Sequence, residues 1–235
     1  KLTISMGEMR KDYFLERSVI VSPKIKKIPN SKKCPYCPGN ESMTNPSLLS
    51  LVAKDGMLQR LQDSEDYFVK NWSVRVFESS SPVVSTSAEN SYSDRPLYSE
   101  PAYGYHYIIV TSPKHNDTLA TIDIEQWSNV LVVIQDRLRW LYTQRGVTYV
   151  SIFVNYGKEA GSVVDHSHIN IVSFSNIPPI IEEESESSHK LLNEKGVCPM
   201  CQTVSTETGG PRQILQTEGF VAFCPWAPTH QFEFW

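Results

Sequence analysis

No stretch of this sequence approaches the 18 or more apolar residues that a membrane-spanning helix needs, and the opening KLTISMGEMRKDYF lacks the apolar core of a secretion signal. The expectation is a cytoplasmic chain with no membrane partner. Basic charge is also scarce. Lys and Arg number 22 against 26 Asp and Glu, a formal net charge of −4, the wrong sign for an extended phosphate-gripping surface, so no nucleic-acid partner is expected. Five cysteines are too few and too odd in number for a disulfide scaffold. With 40% hydrophobic and 20% charged residues, the composition sits apart from disordered and collagen-like chains. What is present suffices for a substantial core, in 235 residues that divide into roughly 1.6 domains of about 150.

Four of the cysteines form two C-x2-C pairs, Cys34/Cys37 and Cys198/Cys201, and Cys224 stands alone. In a reducing compartment such pairs point to metal before disulfides. Before the first pair, SVIVSP reads as a short strand, and the lysines of KIKKIPNSKK either attract anionic phosphates or line a solvated loop. The prolines and glycine of CPYCPGN make a tight knuckle that can present two thiolates to one ion. FVKNWSVRVF and YGYHYIIV read as strands, separated by a loop at 79–94 that carries seven serines. SPKHNDT turns the chain. A helix then opens around Thr121 to Glu125, because Trp127, Val130, Leu131, Ile134, Leu138 and Leu141 recur at helical spacing, and Gly146 stops it.

VTYVSIFVNYG and DHSHINIVSF are two further strands. Strand residues alternate faces, so His166, His168 and Asn170 project together while Ser167, Ile169 and Ile171 point the other way. Three polar groups on one strand face are not a core pattern. EEESESS marks a boundary, as a solvated linker or an exposed helix start. Beyond it come the second cysteine knuckle and RQILQTEGFVAFCPWAPTHQFEFW, which reads as two strands around a Pro-rich turn. The order of motifs resembles the first half, and Cys198 follows Cys34 by 164 positions, the spacing of an internal repeat.

Zinc prefers four ligands, usually thiolate or imidazole in a closed structural site. Cys34 and Cys37 supply two, and among His106, His115, His166, His168, His189 and His230 the completers by position are His115 and His166. Two readings stay open beside this one: a pair of buried reduced cysteines, or all four paired cysteines in one four-thiolate site.

EMRKDYFLERSVIVSP, CPYC, NWSVRVF, YGYHYIIVTSPKHNDTL, FVNYG and HSH together resemble, in order and spacing, the galactose-1-phosphate uridylyltransferase family of the histidine triad superfamily, which includes ADP-glucose phosphorylases. The resemblance implies an α+β fold: an antiparallel histidine triad sheet packed with helices, with one complete unit at 1–179 and a linker plus partial second repeat at 180–235. It implies a structural zinc on Cys34, Cys37, His115 and His166, and His168 as the nucleophile. It also implies Asn155 as a phosphoryl-binding group, Asn170 in place of the family's glutamine, and Ser79 in place of a nucleotide-binding asparagine. Ser162 and the backbone around Gly161 are further candidate donors to phosphoryl oxygens. A neutral imidazole can attack an α-phosphorus and store the nucleotide as a phosphoramidate.

The strand reads H-S-H-I-N where the family has H-P-H-G-Q, and Ile25 and Ile28 stand where it has arginines, leaving Lys24, Lys26 and Lys27 as point charges nearby. A second zinc at Cys198/Cys201, completed by His189 or His230, is a further expectation by resemblance. Three functions follow. The first is a nucleotidyltransferase that moves a nucleoside monophosphate from a UDP-sugar to a hexose 1-phosphate in galactose metabolism. The second is a nucleotide-sugar phosphorylase with inorganic phosphate as acceptor, and the third a zinc-stabilised protein that binds nucleotide or a partner without turnover. The expected partners are a nucleotide sugar, a sugar phosphate and a second copy in a homodimer. An aromatic strand ending FEFW leaves an apolar edge, so the expectation is that the chain continues beyond Trp235 or that a partner covers that strand.

Overall fold

The computed structural model of the chain describes residues 7–22, 33–54, 56–87, 92–94 and 96–235. The lysines at 24, 26 and 27, with Ile25 and Ile28, lie outside them. The chain forms two compact units, Lys1–Ile177 and Pro178–Trp235. Along the first run β1 (Glu8–Lys11), β2 (Ser18–Val21), a 3-10 turn (Glu41–Met43), β3 (Ser47–Lys54), β4 (Met57–Leu61), β5 (Trp72–Glu78), β6 (Tyr92–Asp94), β7 (Leu97–Pro101), β8 (His106–Val110), α1 (Ile124–Leu141), β9 (Tyr149–Phe153) and β10 (His168–Phe174). The second holds α2 (Pro179–Lys195), α3 (Pro199–Glu207), β11 (Gln213–Gln216) and β12 (Val221–Phe223).

Six strands of the first unit build one antiparallel sheet in the order β4-β3-β5-β8-β10-β9, and a smaller sheet takes the order β2-β1-β7-β6. The α+β class expected from the sequence is the class observed, with antiparallel sheets and three helices. The period of two in the central strands gives the large sheet two apolar faces. Val74, Val76, Tyr107, Ile109, Ile169 and Ile171 meet α1 on one face, while Trp72, Phe77, Ile108 and Val110 meet Tyr36, Val69 and Val164 on the other. That second face carries the site.

Asp123 caps α1, its carboxylate accepting from the Gln126 N–H. The helix ends at Leu141, before Gly146, whose positive φ belongs to the turn that follows. Val130, Val133 and Leu141 are buried on the sheet, each contributing about 1.5–3 kcal/mol relative to exposure. The expected stripe is thus corrected at one place: Val133 is 1% exposed and Leu131 56%, because the sheet meets the helix one residue around from the axis of the counted pattern.

Several elements differ from the sequence reading. SLLSLVAK and MLQRL form the β3-β4 hairpin, turning at Gly56 with φ +73°, a pairing that no strand expectation covered. The serine-rich segment is not loop throughout, since its last three residues are β6, paired to β7. EEESESS lies inside α2, which starts at Pro179 and stops at Gly196 in the left-handed conformation. The second cysteine motif is a helix start, with Cys198 at the N-cap of α3. Both strands of the last segment precede the Pro-rich turn: β11 and β12 pair around Thr217–Phe220, and Trp235 exchanges two backbone hydrogen bonds with Phe223 instead of opening a full strand. No helix among the described residues is long and apolar enough to cross a membrane.

Candidate active site

The knuckle is shaped by its own backbone. Cys37 N–H donates to the Cys34 carbonyl at 3.3 Å and Asn40 N–H to the Cys37 carbonyl at 3.1 Å. Asn40 Nδ2 donates to the Cys34 carbonyl at 2.8 Å, and Gly39 N–H to the Glu41 carboxylate at 3.1 Å. Glu41 is buried and also receives the Lys70 ammonium and the Trp72 indole N–H, which ties the knuckle to β5. Burial alone would raise its pKa, but Lys70, Gly39 and Trp72 together hold the carboxyl below the usual range. The turn after β8 is set by Ser112, whose hydroxyl donates to Asp117 at 2.6 Å and accepts the Lys114 N–H at 3.1 Å, and this turn delivers His115.

Cys34, Cys37, His115 and His166 converge, with all ligand atoms within 4.8 Å of one another. His166 Nε2 donates to the Ser112 carbonyl at 2.8 Å, since a carbonyl can only accept. Its Nδ1 therefore keeps a free lone pair, 3.6 Å from each sulfur, and His115 Nδ1 lies 3.4 Å from Cys37 Sγ. A tetrahedral ion with sulfur at about 2.3 Å and nitrogen at about 2.0–2.1 Å needs a sulfur–nitrogen separation of about 3.6 Å. The four residues thus fit a closed tetrahedral site. Burial, reinforced by the neighbouring Cys34, pushes the Cys37 thiol up to about 11, the strain that a cation between two thiolates would relieve. Among the described residues this is the one group of three or more such ligands so arranged. Exposed Cys198 and Cys201 are joined there by neither His189 nor His230.

His168 opens β10 two residues further on and is buried. Its Nδ1 donates to the His166 carbonyl at 2.7 Å, which leaves the Nε2 lone pair bare. Burial lowers the His168 pKa, partly offset by that hydrogen bond, so the ring is neutral near pH 7. Tyr36 stands edge-on to the His168 ring at 5.3 Å and to Phe77 at 5.4 Å. A cavity of about 370 Å³ lies alongside, lined among others by His115, Asn155, Ser162, His166 and His168.

The other expected residues divide. The Asn155 carboxamide on the cavity wall makes no hydrogen bond within the described residues. Ser162 lines the cavity too, but its hydroxyl donates to the Val164 carbonyl at 2.9 Å. Gly161 and Ser162 N–H are taken by the Lys158 and Gly157 carbonyls at 3.0 and 3.1 Å. In this structure these donors close a tight loop. Gly161 itself permits the loop with φ +87°. Ser79 is not on the cavity: it follows β5, donates its N–H to the His106 carbonyl at 2.8 Å and accepts the Ser81 N–H at 3.3 Å. Asn170 is not among the residues lining the cavity either; it lies on the same strand face as His168, two residues further on, and accepts from His106. Tyr36, His106 and Ser112 were missed as site residues; Tyr36 inside the knuckle and His106 in an otherwise apolar strand were the available signals.

Residues 21–178 match the family model described as galactose-1-phosphate uridyl transferase, N-terminal domain. The chain is 26% identical to an ADP-glucose phosphorylase of Arabidopsis thaliana over 97% of its own length and 64% of that protein's. It is 27% identical to a galactose-1-phosphate uridylyltransferase of Thermotoga maritima over 97% of its own length and 65% of that protein's. The chain thus spans under two thirds of the length of these relatives. Among solved structures, a uridylyltransferase superimposes with a TM-score of 0.73 at 24% identity, over 92% of this chain and 60% of the other. A GalT-like protein of Arabidopsis thaliana superimposes with a TM-score of 0.68 at 27% identity, over 94% and 64%. With a family model matching residues 21–178, most of the first unit, the chain belongs to the galactose-1-phosphate uridylyltransferase family.

Proposed function

We propose that the protein is a nucleotidyltransferase working through His168. The observation that carries this is the 2.7 Å hydrogen bond from His168 Nδ1 to the His166 carbonyl, which leaves a bare Nε2 lone pair at the edge of a cavity that also holds the unengaged Asn155 amide. Nε2 attacks the α-phosphorus of a nucleotide sugar, the bond to the β-phosphate oxygen breaks, and sugar 1-phosphate leaves with the electron pair. An oxygen of the acceptor phosphate then attacks the same phosphorus, and the phosphorus–nitrogen bond breaks, returning neutral His168. Asn155 and Asn170 supply N–H donors to the oxygens on which charge builds.

The two-thiolate, two-imidazole set suits zinc, which would hold the knuckle and His166 in place and leave no open coordination position. Because His166 carries the carbonyl that fixes the His168 tautomer, anchoring it also sets the attack geometry. A UDP-sugar with a hexose 1-phosphate acceptor is the leading substrate pair. Inorganic phosphate as acceptor is the second reading, favoured by the relative named ADP-glucose phosphorylase. A homodimer, a cytoplasmic setting that keeps Cys34 and Cys37 reduced, and residues 180–235 as a partial second repeat belong to the same reading.

The test is incubation with UDP-glucose or ADP-glucose labelled at the α-phosphate. Acid-labile label is expected on the wild type and absent from His168→Ala. Label that survives the substitution overturns the nucleophile, and a wild type that binds both sugars without label points to binding without turnover. Release of the label by galactose 1-phosphate or by phosphate distinguishes the two acceptors.

A further inference from the structure

His106 has no part in the chemistry above, yet its hydrogen bonds determine how Asn170 is presented. His106 pairs with Val172 across β8 and β10, and Asn170 pairs with Ile108, so the two side chains are diagonal neighbours on the site face. Val83 N–H donates to His106 Nδ1 at 3.3 Å. A ring nitrogen that receives a donor carries no proton, so the neutral ring is protonated at Nε2. Burial lowers the His106 pKa and keeps the ring neutral. Nε2–H then meets Asn170 at 3.1 Å, where only the carboxamide oxygen can accept it. The amide nitrogen is thereby turned away from His106, and no acceptor among the described residues takes it, although Asn170 is only 7% exposed. The backbone on both sides is held, by Ser79 N–H on the His106 carbonyl at 2.8 Å and Ser173 N–H on the Tyr105 carbonyl at 2.9 Å.

We infer that His106 is a positioning residue: its Nε2–H locks the Asn170 carboxamide so that the N–H2 edge is presented to the phosphoryl oxygens of a nucleotide held at His168. The identity of that ligand rests on the nucleotidyl-transfer reading, whereas the orientation of the amide does not. Without His106 the amide rotates freely and offers its oxygen to an anion as readily as its nitrogen. A hydrogen bond to a charged group is then lost in a share of encounters.

Two measurements test this. Long-range proton–nitrogen spectra of metal-replete protein labelled with 15N-histidine should show His106 as a neutral ring protonated at Nε2 at neutral pH; protonation at Nδ1 overturns the inference. Single-turnover labelling of His168 should slow about 10–100-fold in His106→Leu, with nucleotide-sugar affinity changing far less. His106→Asn, which offers nothing at the Nε2 position, should match it and serves if the leucine variant does not fold. His106→Gln, whose amide nitrogen reaches that position, should recover most of the rate. In an Asn170→Ala background the His106→Leu effect should vanish; an equal loss in both backgrounds overturns the positioning role. If neither sugar labels the wild type, the transfer reading fails and the inference is decided separately with UMP and AMP. Either nucleotide should then move the Asn170 side-chain amide signals in the wild type and not in His106→Leu, and no movement with both overturns it.

Discussion

Asp63→Asn probes what holds the floor beneath the cysteine knuckle. The Arg75 and Asp63 side chains are 2% and 0% exposed and meet at 2.8 Å. Asp63 also accepts the Ser47 and Val69 N–H groups at 2.7 and 2.8 Å. Arg75 donates to Thr44 Oγ1 at 2.7 Å, while its Nε is the one fully buried side-chain polar atom without a partner among the described residues. No second carboxylate is paired with that guanidinium among the described residues, so asparagine leaves a buried cation without a counter-charge. Breaking such a pair costs about 3–5 kcal/mol. For a chain of this size each kcal/mol moves the melting temperature by about 2–4 °C, so a fall on the order of 10 °C is expected. Burial would raise the Asp63 pKa, but the Ser47 N–H, Arg75 and the Val69 N–H outweigh it and hold the carboxyl below the usual range. A carboxylate lowered on folding contributes stability above its unfolded pKa of about 3.9 and loses it as pH falls through the folded value. The gap between wild type and variant should therefore be full at neutral pH and close in acid below about pH 4. Denaturant unfolding across that range measures it. A variant within about 1 kcal/mol of wild type at neutral pH, or a gap that widens in acid, refutes the reasoning. The effect reaches the site, because Arg75 lies 4.9 Å over Phe77, Phe77 packs on Tyr36, and Tyr36 on His168.

Elemental analysis should find one zinc per chain at the first cluster; Cys37→Ser should lose it together with folding stability, and full metal retention in that variant would remove the four-ligand site. Leu141→Ala, at a fully buried position, should cost about 2–5 kcal/mol, whereas Leu131→Ala should stay within about 0.5 kcal/mol; the reverse order would put the wrong face of α1 on the sheet. Gly104→Ala should cost at least about 1–3 kcal/mol, because φ is +156° and a Cβ there would lie 2.0 Å from the Ser173 carbonyl oxygen; an unchanged melting temperature would contradict that close approach.

The strands and helix with strong local periodicity were legible in the sequence. β5 alternates apolar residues, as β10 does at its start, β8 is a run of aromatic and β-branched residues, and α1 has both its stripe and its Asp123 cap. The β3-β4 hairpin was not, although Asp55-Gly56 is a turn signal, because SLLSLVAK is nearly continuous in apolar residues and its partner MLQRL is mostly exposed. Neither displays the alternation that marks a strand. The charge of the acidic run suggests a linker, while the proline at its start and Gly196 at its end are the helix signals that prevail.

By itself the sequence determined the chemistry available: two thiols on a knuckle, a turn histidine, and two histidines with an asparagine on alternate residues of one strand. Those are local facts of spacing and period, which need no knowledge of the rest of the chain. Only the tertiary structure decided what each group can do. It brought Cys34 and Cys37 to within 3.6 Å of the His166 ring, 129 or more positions away. It assigned the ring protons of His166 and His106 through an acceptor and a donor on other segments, whereas that of His168 is set by the His166 carbonyl two residues back. Hydrogen bonds are pairwise and directional, so a residue's type says which bonds it can make, and only the folded chain says which of them are already made.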